Sequence, residues 1–256
     1  MRAPRTAREV SLIPVFLDSE VRPGDDPVVR LLSAMRKQRN HLRSGDILVV
    51  KHKIISKAEG RVVRLAAVKP SVSARTWARK HGLDARVAQL ALDESRRVVR
   101  QKRGVLITET RHGFICANSG VDVSNVDGGV SAVLLPTDPD ASAEKIRHGI
   151  RQKTRLSIPV IVTDSFGRPW REGLCEVAIG VAGLEPLHDY RGLRDQQGYP
   201  LHATVEAVAD ELACAAGLVC GKLSRTPACI IRGFSYRPGQ GKASALLRSA
   251  RLDLFR

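Results

Sequence analysis

Residues 106–126 gather Glu109, Arg111, His112, Asn118, Asp122 and Asn125 into one short stretch. Two apolar runs, 105–107 and 114–117, flank Gly113, and an oxygen-rich loop follows. The pattern predicts a strand, a turn, a second strand and a polar loop. Polar groups on buried strands cost free energy unless they are paired, so the concentration points to a site.

A second carboxylate stands at a comparable place. Asp164 follows the most apolar run of the chain, residues 158–163, and Ser165 and Gly167 come directly after it. Mg²⁺ is typically held by one or two carboxylates together with substrate phosphates and water. Asp122 and Asp164 are therefore the candidate pair for a metal-bound phosphate. An Asx-turn before Gly167 explains Asp164 equally well on this segment alone. Arg168 and Arg171 nearby favour an anionic ligand. Lys51, Lys53 and Lys57 with Ser56 end another apolar strand, where phosphate oxygens and a plain basic surface turn are equally good explanations.

These residues need elements to hold them. Strands are predicted over 11–16, 47–50, 60–65, 130–135, 158–163, 176–181 and 228–232. Helices are predicted over 28–38, where Asp25 or Asp26 before Pro27 forms a start signal, over 141–153 and over 204–220. A helical region is expected across 71–100, with an amphipathic surface pattern around Val87, Leu90 and Val98. A last helix is expected over 241–255. Glu206 and Asp210, four apart on the 204–220 helix, would repel each other. Residues 164–173 and 189–198 read as loops. Residues 221–227 follow a helix and lack both the glycine spacing and the preceding strand of a Walker loop.

Composition sets limits. A chain of 256 residues with 43% hydrophobic content can bury a substantial core. No apolar run reaches the roughly 20 residues that span a bilayer. The basic N-terminal residues have no apolar core behind them, so no signal peptide is expected. The five cysteines, Cys116, Cys175, Cys214, Cys220 and Cys229, show no paired spacing. A reduced, cytoplasmic protein fits that usage. The net charge of +16 is spread over several clusters, and aromatic residues make up only 4% of the chain. That scarcity of stacking platforms disfavours nucleic acid as the main ligand. An anionic small substrate fits better.

Several motifs together resemble one family. They are Ser-Lys-Ala-Glu-Gly-Arg (56–61), Glu-Thr-Arg-His-Gly-Phe (109–114), Asn-Ser-Gly-Val-Asp-Val-Ser-Asn (118–125) and Asp-Ser-Phe-Gly-Arg-Pro-Trp-Arg-Glu-Gly (164–173). Ala-Ile-Gly-Val-Ala-Gly (178–183), Asp-Tyr-Arg-Gly (189–192) and Ala-Asp-Glu-Leu-Ala (209–213) continue the series. The ordered set, from about residue 13 to residue 233, resembles the coenzyme F420-0:L-glutamate ligases, or F420 γ-glutamyl ligases. The resemblance implies an unusual mixed α+β fold of two intertwined α/β lobes. It implies one ligase domain over 1–256, without the fused nitroreductase-like domain of some relatives, and a homodimer.

The implied chemistry is GTP-dependent amide formation. The γ-phosphate of GTP passes to the terminal carboxylate of coenzyme F420-0, and the amino group of L-glutamate attacks the acyl phosphate. A second glutamate can then be added through its γ-carboxylate. Mg²⁺ or Mn²⁺ is the implied metal, and K⁺ is an implied helper. By resemblance Asp122 and Asp164 are catalytic and metal-binding, with Ser165 at a further metal position. Asp18, Ser19, Glu20, Val21, Lys57 and Asn125 match nucleotide contacts, and Lys222 lies in a segment matching another nucleotide loop. His52 is a departure, because a small hydroxyl residue is expected there; its ring nitrogens still place it among the nucleotide contacts. Two other readings stand beside this one: a paralogue joining glutamate to a different acidic acceptor, and a basic nucleotide- or RNA-binding module without ligase activity. The carboxylate pair argues against the last.

Overall fold

In this computed structural model residues 9–124 and 126–253 are described. Strand β1 (Ser11–Val15) leads to helix α1 (Pro27–Lys37). Asp26 caps α1 by accepting from the Val28 and Val29 amides at 2.8 and 3.2 Å, with proline at the first helical position. Val28, Leu31, Ala34 and Met35 form its buried stripe. Strand β2 (Ile47–Lys51) runs directly into helix α2 (His52–Ala58). Strand β3 (Val62–Arg64), helix α3 (Val72–His81) and helix α4 (Ala85–Asp93) follow. Next come the strands β4 (Ser95–Lys102), β5 (Val105–Thr110), β6 (Ile115–Ala117) and β7 (Ser131–Val133). Helix α5 (Pro139–Thr154), capped by Asp138, precedes the long hairpin of β8 (Val160–Arg168) and β9 (Arg171–Ala182). The short strands β10 (His188–Asp189) and β11 (Val205–Glu206) pair with each other. Helix α6 (Val208–Cys220) and strand β12 (Ala228–Arg232) complete the regular elements, and two 3₁₀ turns lie beyond them.

The main sheet has the order β1-β12-β2-β8-β9. Only β2 and β8 are parallel; the other neighbours are antiparallel. Residues 47–50 and 160–163 are buried at every position, as strands covered on both faces must be. Helices α5 and α6 pack on this sheet and share its core. A second, smaller core joins α3 and α4 to β5 and β7 through Leu65, Ala74, Ala91, Leu106, Ala132 and Leu134. The mixed α+β class expected from the sequence is the one observed.

Several boundaries differ from the sequence reading. The 71–100 region is two helices and a strand. Gly82, at φ +65°, ends α3, and Asp84 caps α4 through the Arg86 amide. The β-branched Val98 and Val99 then favour the strand β4. Residues 52–58 form a helix, an element the sequence reading did not assign there. Residues 164–168 continue β8 rather than opening a loop, because β9 supplies their ladder partners as far as Arg171. Helix α6 begins at Val208. Glu206 thus belongs to β11 and accepts from Tyr190 Oη at 3.1 Å, while Asp210 accepts from the Ala178 amide at 2.8 Å. The expected repulsion between the two carboxylates on one helix does not arise. In the expected last helix, the described residues form only the turns Ala243–Leu246 and Ala250–Leu252.

Candidate active site

The parallel ladder places Lys51 opposite Thr163, so β2 and β8 deliver His52 and Asp164 at the same end of the sheet. His52 Nε2 lies 3.3 Å from Asp164 Oδ1, and its Nδ1 lies 3.2 Å from Ser56 Oγ. His52 and Ser56 are both buried. Asp122 arrives from elsewhere in the chain. Its backbone bridges to Val133, with N–O distances of 3.0 and 2.8 Å, which ties the oxygen-rich loop to β7. Lys53 Nζ then sits 2.7 Å from Asp122 Oδ2 and donates to Ser124 O and Oγ.

Electrostatics keeps both aspartates ionised near neutrality. Burial alone would raise the pKa of Asp164, but His52 and the Ser165 amide outweigh it and hold the carboxyl below its ordinary value. The charge of Asp122 opposes that lowering, so the two carboxylates lie close enough to feel each other. Asp122 follows the same logic: burial raises it, and Lys53 with the Ser124 amide and hydroxyl bring it below the ordinary value. Two neighbouring ionised carboxylates beside the Ser165 hydroxyl form a hard-oxygen donor set. Such a set suits Mg²⁺ or Mn²⁺ shared with phosphate oxygens and water. Among the described residues no three His, Cys, Asp or Glu side chains form a metal cage by themselves.

Beside the carboxylates opens a cleft of about 340 Å³. One wall carries Ser19, Glu20 and Val21; another carries Lys51, Lys53 and Lys57; residues 221–227 close it with Lys222 and Arg225. Lys57 Nζ is 3.3 Å from Glu20 Oε2, and Lys222 Nζ donates to Ser165 Oγ at 2.8 Å. Lys53 and Lys222 thereby connect the cleft to Asp122 and Ser165. Clustered ammonium groups in a partly enclosed groove attract a polyanion, and carboxylates linked to that groove through Lys53 and Lys222 suit a metal-bound phosphate.

Residues 18–233 match the family model for F420-0:gamma-glutamyl ligase. The chain belongs to this family. A coenzyme F420:L-glutamate ligase from Methanothermobacter thermautotrophicus is 44% identical over 250 residues, covering 96% of this chain and 99% of the relative. The protein of the same name from Methanopyrus kandleri is 42% identical over 248 residues, covering 95% and 96%. That from Methanocaldococcus jannaschii is 44% identical over 216 residues, covering 84% and 86%.

Within this γ-glutamyl ligase chain, the site residues expected from sequence do not all converge. Ser19, Glu20, Val21, Lys57 and Lys222 line the cleft; His52, Asp122, Asp164 and Ser165 form the group connected to it. Asp18 does not line the cleft: its carboxylate pairs with Lys37 at 2.6 Å on the exposed surface. Asn125 lies outside the described residues. The other polar residues of 106–126 stabilise local structure. Glu109 pairs with Arg97, Arg111 donates to Asp93 O, His112 Nε2 lies against the Pro136 and Thr137 carbonyls, and Asn118 accepts from the Leu106 amide. Arg168 donates to Glu172 O, within the β8–β9 hairpin.

Sequence reasoning missed Glu176, which pairs with Lys51 at 2.6 Å and accepts from Ser165 Oγ at 2.7 Å. Its one signal is its place on the strand: a charged residue among apolar neighbours, opposite Ser165 in the hairpin.

Proposed function

We propose that this protein is a GTP-dependent ligase that joins L-glutamate to the terminal carboxylate of coenzyme F420-0. The observation that carries the reading is the lysine-lined cleft whose Lys53 pairs with Asp122 and whose Lys222 donates to Ser165, the residue next to Asp164. Family membership and the names of the relatives support the acceptor and the amino acid.

The reaction brings an anionic carboxylate to an anionic triphosphate, so the protein must neutralise charge and align the reactants. Lys51, Lys53, Lys57 and Lys222 would bind the phosphate chain along the cleft. Asp122 and Asp164 would hold Mg²⁺ or Mn²⁺ with the Ser165 hydroxyl nearby. That ion would supply charge neutralisation on the γ-phosphate. The carboxylate oxygen of the acceptor attacks phosphorus, GDP leaves, and an acyl phosphate results. The glutamate amine then attacks the acyl carbon and loses a proton as inorganic phosphate departs. When protonated, the His52 ring, with Nε2 3.3 Å from Asp164 Oδ1, would attract that carboxylate.

The test is mass spectrometry of products after incubation with F420-0, L-glutamate, GTP and Mg²⁺ or Mn²⁺. The expected result is a mass gain of one or two glutamates with GDP formed, and no product without GTP. GDP formation only with other acidic acceptors would move the assignment to a different substrate. A product formed equally well without nucleotide would overturn the acyl-phosphate route.

A further inference from the structure

We infer that Glu176 is a positioning residue that sets one lysine on each wall of the cleft, an inference that rests on the nucleotide-binding reading above. The carboxylate lies on β9 directly opposite Ser165 of β8, and it is 9% exposed. Its Oε1 accepts from Lys51 Nζ at 2.6 Å and from Ser165 Oγ at 2.7 Å. Its Oε2 accepts from Thr163 Oγ1 at 3.0 Å. Ser165 Oγ in turn accepts from Lys222 Nζ at 2.8 Å. One buried carboxylate therefore anchors Lys51 directly and Lys222 through a single hydroxyl, and both lysines line the cleft. Lys51 ends a strand and Lys222 follows a helix, so without a common anchor their ammonium groups would be set independently.

The surroundings hold the anchor still. A Cβ at Gly217 of α6 would lie 2.7 Å from Glu176 Cγ, so the helix leaves no room for the side chain to swing that way. With Thr163 on one oxygen and two donors on the other, the carboxylate has a defined plane. Lysine stems are flexible and like-charged ammonium groups repel, so a fixed anion between two of them preorganises both before a polyanion arrives.

Calorimetric titration with GDP and GTP, together with steady-state kinetics, tests the inference on the full chain. Glu176→Gln is expected to weaken guanine-nucleotide binding about tenfold and to raise the KM for GTP, while the KM for L-glutamate stays unchanged. Lys51→Met is expected to give a similar loss. The double variant should be scarcely worse than either single one, because the two act as a unit. If Glu176→Gln fails to fold, Thr163→Val carries the test, with an expected loss of about threefold. A lowered melting temperature with unchanged nucleotide affinity would make Glu176 purely structural and overturn the inference alone. A wild-type protein that binds no guanine nucleotide would overturn the proposed function, and this inference with it.

Discussion

The cleft and the edge strand β4 are both basic, yet they use their charge in opposite ways. At the cleft the lysines are tied to carboxylates: Lys51 to Glu176, Lys53 to Asp122, Lys57 to Glu20. On β4, Arg96, Arg100 and Lys102 are exposed on an edge strand. The first arrangement costs desolvation and constrains rotamers, which makes sense where a ligand must meet preset charges. The second costs little, because long side chains on an open surface keep their water. Net charge alone therefore says little about where function lies; the pairing of the cations and their burial say more.

The largest effect that would break this contrast is at Asp164. Asp164→Asn keeps the shape and removes the charge, so turnover is expected to fall about a thousandfold while the fold stays intact. Phosphate release and circular dichroism read the two halves of that statement, and near-normal turnover would remove the carboxylate pair from the mechanism. Next come the two cores. Ile161→Ala in the middle of the main sheet is expected to cost about 2–5 kcal/mol, measured by urea unfolding. Leu90→Ala in the smaller core should cost toward the low end of that range, about 2 kcal/mol, because its site is less enclosed.

A pH titration sharpens the comparison. The pKa values of Asp122, Asp164 and Glu176 all lie below their ordinary 3.8 or 4.5: burial raises each, and lysine and hydroxyl partners at Asp122 and Glu176, with His52 and the Ser165 amide at Asp164, outweigh it. Each therefore contributes stability fully above its unfolded value and loses it as pH falls through the lower native one. Asp210 has the opposite sign. Burial outweighs its bond from the Ala178 amide and raises its pKa, so its contribution is complete below its unfolded value of 3.8 and fades as pH rises through the raised one. Melting temperatures are expected to drop once pH passes below about 4.5, and Lys53→Met should shrink that drop. The smallest effect is expected from Arg96→Gln combined with Arg100→Gln: nucleotide affinity should stay within about twofold. A larger loss would mean the open basic edge also serves the ligand.

Much of the main sheet was legible because its strands are short, apolar and bounded by turn residues. The 158–163 run and the aspartate cap before Pro27 at the start of α1 are examples. The hairpin of β8 and β9 was not, because residues 164–173 are polar and carry no alternation; only the partner strand makes them β. The break between α3 and α4 hinged on Gly82, a signal outweighed by the amphipathic pattern on either side. At the site, Asp122 and Asp164 could be picked out as a candidate pair from residue type and position. The links through Lys53, Lys222 and Glu176 could not, since each joins segments far apart in the chain. Local crowding also misled: Glu109, Arg111, His112 and Asn118 sit beside Asp122 in sequence, and their bonds stabilise the surrounding strands and turns.

The parallel pairing of β2 with β8 has a consequence for how this enzyme family can vary. One hydrogen-bond ladder sets the offset between the lysine-bearing end of β2 and the aspartate-bearing end of β8. A ladder accepts shifts only in whole residues, each of about 3.3 Å, and a shift of one residue turns every side chain to the opposite face. The spacing between the lysine and carboxylate groups is thus quantised. Descendants of this chain can exchange side chains at either end by small steps, but they cannot gradually stretch the gap between them.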